Sequence, residues 1–155
     1  MTHEEEEKYA IEHILSDKIV SHEFVNFFLG NYIGSGISRY VFDNPMDPTT
    51  VIKIDTSRYS ANVIEFNVWQ HVEYVESINK WFAPVVMMSK CGRILIMKKC
   101  SPVSDSKLPD KVPAFFTDIK KENFGMYKNH VCCLDYASHL LLEKGMTNRM
   151  RKAKW

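Results

Sequence analysis

The sequence predicts an α+β domain on an antiparallel five-stranded sheet, with helices before the sheet and one helix inserted after its third strand. Three observations point there. Residues 5–28 carry apolar side chains at three- and four-residue spacing. Residues 32–98 break into short β-branched runs separated by glycine- and proline-bearing turns. One long segment with a helical apolar stripe, 60–77, interrupts those runs. At 155 residues, 45% hydrophobic and 25% charged, the chain suits a single domain, 1–155, with a buried core.

The first helical region rests on Tyr9, Ile11, Ile14, Leu15, Ile19 and Val20, continued by Phe24, Val25, Phe27 and Phe28. A break is expected at Ser21 and His22, and an end at Gly30 and Asn31. Strands 32–33 and 39–42 flank a glycine-rich hairpin tip. Asp43-Asn-Pro-Met-Asp-Pro48 is a turn dense in breakers, and 50–55 is a β-branched strand. In 60–77, Val63, Phe66, Trp69 or Gln70, and Val72 or Glu73 form the stripe, with Ser60 or Asn62 as cap. Strands 85–89 and 93–98 pair across Lys90-Cys-Gly92. Three prolines make 101–113 a loop. Two short strands follow at 112–117 and 131–134, the second entered by a turn at Lys128 and Asn129, and 139–143 starts a short helix.

A net charge of +1 gives no argument for a polyanionic partner. The charge is segregated, however. Residues 4–7 are four glutamates, and 144–155 carries Lys144, Arg149, Arg151, Lys152 and Lys154 with no acid. The plain expectation is two solvated, frayed ends; the alternative is a basic arm touching nucleic acid or an acidic partner. Cys91, Cys100, Cys132 and Cys133 fit no zinc spacing and read as reduced, buried thiols of a cytoplasmic protein, with Cys132 and Cys133 alternating across a strand. The acidic start is unlike a signal peptide, and no apolar run reaches the roughly 20 residues of a membrane span.

Four elements carry chemistry. Gly34-Ser35-Gly36, in I-G-S-G-I-S-R-Y-V-F, lets backbone N–H groups approach phosphate oxygens. Val41 sits where G-x-G-x-x-G-x-V wants its valine, and Arg39 replaces the third glycine, stiffening the loop or aiming a cation at phosphate. Lys53 lies mid-strand between Ile52 and Ile54. Twelve residues on, Glu65 stands on an apolar helical face, where an unpaired carboxylate is costly, so a Lys53–Glu65 ion pair is expected. In T-D-I-K-K-E-N-F, Asp118 suits a proton acceptor, Lys120 a γ-phosphate neutraliser and Asn123 a metal ligand. Asp135, ending an apolar strand, suits Mg²⁺, and a hairpin between Asn123 and Asp135 would bring both to one ion.

In this order the motifs resemble the protein-kinase-like superfamily, and the chain is similar to small kinase-like proteins encoded by bacteriophages. D-I-K-K-E-N-F resembles the catalytic loop H-R-D-L-K-x-x-N, and L-D-Y-A resembles D-F-G. The resemblance covers about residues 29–137. It implies a helical extension (1–28), a nucleotide lobe (29–100), a reduced catalytic lobe (101–143) and a basic tail (144–155). It further implies ATP and Mg²⁺ as cofactors. Residues 33–41 would cover phosphates, and Lys53 with Glu65 would hold the α- and β-phosphates. Met97 to Cys100 would form a hinge against adenine, with Asp118 as base and Asn123 with Asp135 on metal. Phe116 and Thr117 replace the histidine and arginine of the pattern, Tyr136 and Ala137 its phenylalanine and glycine. Only twenty residues follow Asp135, leaving no substrate-binding lobe.

Two functions are therefore carried forward. One is a Mg-ATP-binding kinase-like protein transferring phosphate to a host protein or small substrate in the host cytoplasm, with a homodimer completing the missing lobe. The other is an inactive kinase-like protein that binds and modulates a host protein.

Overall fold

A computed structural model describes residues 1–139 and 141–155 of the chain. Two helices come first, α1 (His3–Ser16) and α2 (Lys18–Phe28). α1 starts earlier than the apolar spacing predicts because Thr2 and Glu5 cap it reciprocally: Glu5 N–H donates to Thr2 Oγ1 at 3.3 Å and Thr2 N–H to Glu5 Oε2 at 2.8 Å. The break falls at Asp17 rather than at Ser21 and His22. The Asp17 carboxylate accepts the free N–H groups of Ile19 and Val20 at 2.9 and 3.0 Å, whereas the Ser21 hydroxyl turns back onto the Leu15 carbonyl. Neither helix buries a residue.

The sheet contains β1 (Tyr32–Ser35), β2 (Arg39–Asp43), β3 (Thr50–Asp55), β4 (Val85–Met88) and β5 (Ile94–Lys98), in the order β1-β2-β3-β5-β4 with every neighbour antiparallel. The α+β class and the five-stranded antiparallel sheet are those the sequence predicts. β1 runs on through Gly34 and Ser35, so of the two glycines only Gly36 lies at the hairpin tip. The segment after β3 is two helices, α3 (Ala61–Val72) and α4 (Glu76–Asn79), not one. Neither expected side chain caps α3. Ser60 sits at φ 54° without a capping bond, and the Asp55 carboxylate, at the end of β3, accepts from Asn62 N–H at 3.4 Å.

The second half departs further from expectation. β6 (Lys111–Pro113) ends before Phe115 and Phe116, which turn into the core; a 3₁₀ turn (Asp105–Lys107) occupies the preceding loop. β7 (Phe124–Tyr127) and β8 (His130–Cys133) form a hairpin whose turn residues Lys128 and Asn129 both have positive φ. α5 (Leu141–Lys144) follows, and β9 (Met150–Lys152) pairs with β6. The C-terminal end is thus docked rather than frayed. Ala153 is buried, the Trp155 ring meets Phe124 edge-on at 5.0 Å, and its Nε1–H donates to the Pro109 carbonyl at 2.9 Å. A β-ladder and an aromatic anchor outweigh the solvation of the basic side chains.

One hydrophobic core spans both halves, from Val51, Val68, Leu95 and Met97 to Phe82, Phe115, Phe116, Phe124 and Tyr136. β8 is fastened to the loop before β4, with Cys133 N–H on the Trp81 carbonyl at 2.8 Å and Ala83 N–H on the Cys133 carbonyl at 2.9 Å. Both Cys132 and Cys133 are buried because β8 is covered on two sides, and Cys91, expected inside, is exposed on the β4–β5 turn. Among the described residues no helix is long and apolar enough to cross a membrane.

Candidate functional site

The sheet and α3 bring four charges together. Lys53 projects from the middle of β3, between its strand partners Val41 and Leu95, and is buried. Its ammonium lies 3.0 Å from Glu65 Oε2 on α3, the ion pair the sequence predicts, and also donates to the Leu134 carbonyl. Arg39 enters from the start of β2, 6% exposed. Its guanidinium lies 2.7 Å from Glu65 Oε2 and 2.6 Å from Asp135 Oδ1, with a longer bond to Asn62. Glu65 is fully buried and accepts a further bond, from Tyr136 N–H at 2.9 Å. Asp135, with 48% of its side chain exposed, is the member that faces solvent.

Burying charge is expensive unless each charge is paired and hydrogen-bonded. Here two cations meet two carboxylates, and no buried side-chain polar atom among the described residues lacks a partner. Burial works against the Glu65 carboxylate, but Lys53 and then Arg39 overcome it and hold its pKa down at about 2. Burial pulls the Lys53 ammonium below its ordinary value, Glu65 opposes this, and Arg39 adds to it. Arg39 is buried as well, yet Glu65 and Asp135 raise its pKa further.

Three bonds pin the Asp135 segment to the sheet and α3: Lys53 on Leu134 O, Arg39 on Asp135, and Glu65 under Tyr136 N–H. The Tyr136 hydroxyl also reaches the Ala83 carbonyl at 2.9 Å, and its ring packs on Phe82. Ala137 stands where the resembling motif has glycine, and the chain turns there without a positive φ. That turn does not require glycine.

Asp118, Lys120 and Asn123 form a second cluster. Lys120 Nζ lies 3.0 Å from Asp118 Oδ1, and Asn123 Nδ2 donates to Asp118 Oδ2 at 2.9 Å. The bond from Lys120, then that from Asn123, lowers the Asp118 pKa, so the carboxylate is an ionised acceptor held in one orientation. The β7–β8 hairpin forms as expected, and Leu134 N–H donates to the Asn123 carbonyl at 2.7 Å, which sets the Asn123 and Asp135 segments side by side.

His139 belongs to this site, although the sequence reading did not single it out. It is buried, and its Nδ1 accepts Thr117 N–H at 3.0 Å and a longer bond from Asp118 N–H. Nδ1 is therefore the unprotonated nitrogen. Nε2–H then faces Cys133 Sγ at 3.4 Å, and that thiol donates to the Asp135 carbonyl at 3.1 Å. This chain of bonds ties the Asp118 loop to the Asp135 segment. The signal for it in the sequence was a lone histidine just beyond Asp135.

At the hairpin, Gly34 pairs with Val41, and a Cβ added to Gly34 or Gly36 would meet nothing within 4 Å. Ser35 is exposed and Val41 half-buried. Met97, expected at a hinge, is turned into the core, and a groove runs beside this edge. A cavity of about 510 Å³ lies there, bounded by Thr49, Lys98, Cys100, Ser101 and Tyr127.

The donors named for Mg²⁺ do not suit it as arranged. Asp135 Oδ1 already carries a guanidinium, Asn123 points its amide N–H₂ at Asp118, and among the described residues no three His, Cys, Asp or Glu side chains converge on a metal-sized space. Comparison with protein-family models and with curated proteins finds no match to this chain.

Proposed function

We propose that this chain is a kinase-like ATP-binding protein, with the β1–β2 hairpin over the phosphates and Lys53 beneath them. The observation that carries this is the buried Lys53–Glu65 pair, 3.0 Å apart on the third strand and the following helix, with the Asp135 segment bonded onto both residues. A lysine on that strand paired to a glutamate on that helix is how kinases aim an ammonium at the α- and β-phosphates. Open space above Gly34 and Gly36 supports the same placement. Phosphoryl transfer rests on positioning and charge stabilisation more than on covalent chemistry. Asp118, held by Lys120 and Asn123, would orient an acceptor hydroxyl and take its proton.

A second reading is an inactive kinase-like protein that engages a host protein. Two observations favour it: Arg39 occupies Asp135, and α1 and α2 display Leu15, Ile19, Phe24 and Phe27 without burying any residue in the chain.

The test is a calorimetric ATP titration of wild type, Lys53→Ala and the charge reversal Arg149→Glu with Lys152→Glu. Binding should be lost in Lys53→Ala with its circular dichroism unchanged, and kept in the tail variant. Unaltered affinity in Lys53→Ala would remove the site assignment. Label transfer from γ-labelled ATP that stops in Asp118→Asn separates the enzyme from the binding protein.

A further inference from the structure

Building on the ATP-binding reading, we infer that Arg39 is a built-in cation that replaces the divalent metal of this site, so that the polyphosphate binds without Mg²⁺. In a kinase-type site the metal reconciles a carboxylate with the phosphates, which would otherwise repel each other. Here the carboxylate is Asp135, and a guanidinium 2.6 Å away already neutralises it.

The geometry fixes that guanidinium independently of Asp135. Nη1 lies 2.7 Å from Glu65 Oε2 and Nη2 donates to Glu65 Oε1 at 2.9 Å, a fork-to-fork pair on a fully buried carboxylate, and Asn62 Oδ1 adds a third contact. Displacing Asp135 would therefore leave Arg39 where it is. A phosphate oxygen arriving from solvent can exchange with the half-exposed Asp135 oxygen on Nη2, or settle beside the neutralised pair. In the first pose two cations, Arg39 and Lys53, and one buried carboxylate, Glu65, lie behind it; in the second, Asp135 stays paired to Arg39 as well. A divalent ion on Asp135 Oδ1 would instead face a guanidinium 2.6 Å from that oxygen, and among the described residues no group of three His, Cys, Asp or Glu side chains offers it a ligand set.

The position explains why the motif departs from glycine there. Arg39 begins β2 opposite Asp55, at the inner end of the phosphate hairpin, so its side chain reaches back under the sheet to α3 and to Asp135, 96 residues later. A glycine at 39 would leave that space to solvent and ion.

The experiment is a titration of fluorescently labelled ATP into wild type, Arg39→Gly and Asp135→Asn, each in excess MgCl₂ and in EDTA. Wild-type affinity should agree within about twofold between the two buffers, and Asp135→Asn should behave alike in both. Arg39→Gly should bind about tenfold or more weakly in EDTA and recover with Mg²⁺. A wild-type affinity that drops about tenfold in EDTA overturns the inference and leaves ATP binding standing. No wild-type binding in either buffer overturns both. Should Arg39→Gly not fold, the wild-type pair and Asp135→Asn decide: a loss confined to Asp135→Asn in MgCl₂ would make Asp135 a metal ligand and sink the proposal.

Discussion

Gly34 and Gly36 adopt backbone conformations open to any residue, and the space around them would admit a methyl group. Neither position therefore needs glycine for the free chain's own fold. Gly36→Ala should leave stability unchanged or raise it by about 0.4–1 kcal/mol, by restricting the unfolded chain, while weakening ATP binding several-fold. Urea denaturation and ATP titration of the same variant check both halves; loss of stability with unchanged affinity would make the glycine structural. At this scale the sequence was readable where a residue contradicted its surroundings. Glu65 on an apolar helical face announced its partnership with Lys53. Arg39 did not, because it stands where a pattern asks for glycine and its second partner is 96 residues away.

Among the elements, the Asp118 loop and the Asp135 segment are joined through His139. Burial lowers the pKa of this histidine from 6.5, with Asp135 and Asp118 opposing. The folded state therefore prefers neutral imidazole, and its contribution is complete above pH 6.5 and lost as pH falls from there through the lower folded value. Wild-type urea midpoints should fall between pH 7.5 and 5.5. In His139→Asn, whose amide oxygen can accept Thr117 N–H without titrating, the dependence should flatten; equal slopes would contradict the linkage. At the other end, Trp155→Ala should cost about 1–2 kcal/mol through the lost edge-on contact with Phe124 and the lost bond to Pro109, read as a lower urea midpoint. A midpoint unmoved by that change would mean the end is not docked. β3 was legible as a β-branched run, and β4 and β5 as two short runs joined by the turn at Lys90-Cys-Gly92. β7 was foreseen only as one arm of the hairpin between Asn123 and Asp135, and β9 not at all: it lay within a run of basic residues and is defined by its partner strand rather than by its own pattern.

Taken whole, the molecule is one core with a helical pair attached. α1 and α2 contribute no buried residue, so removing residues 1–28 should move the melting temperature by no more than about 2 °C, the scale of a few tenths to 1 kcal/mol at this size. A large drop would show that the pair supports the fold. The core joins the sheet to the β7–β8 hairpin, which is why Lys53, Glu65 and Asp135 are held in one place. The ligand proposed for this place is ATP. The most direct measurement is a thermal-unfolding scan of wild type and Lys53→Ala with and without ATP at about 100 times its dissociation constant. Binding should stabilise wild type by about 2.7 kcal/mol, a rise of roughly 5–11 °C, and leave Lys53→Ala unmoved. No rise in wild type, or the same rise in both, would contradict the assignment.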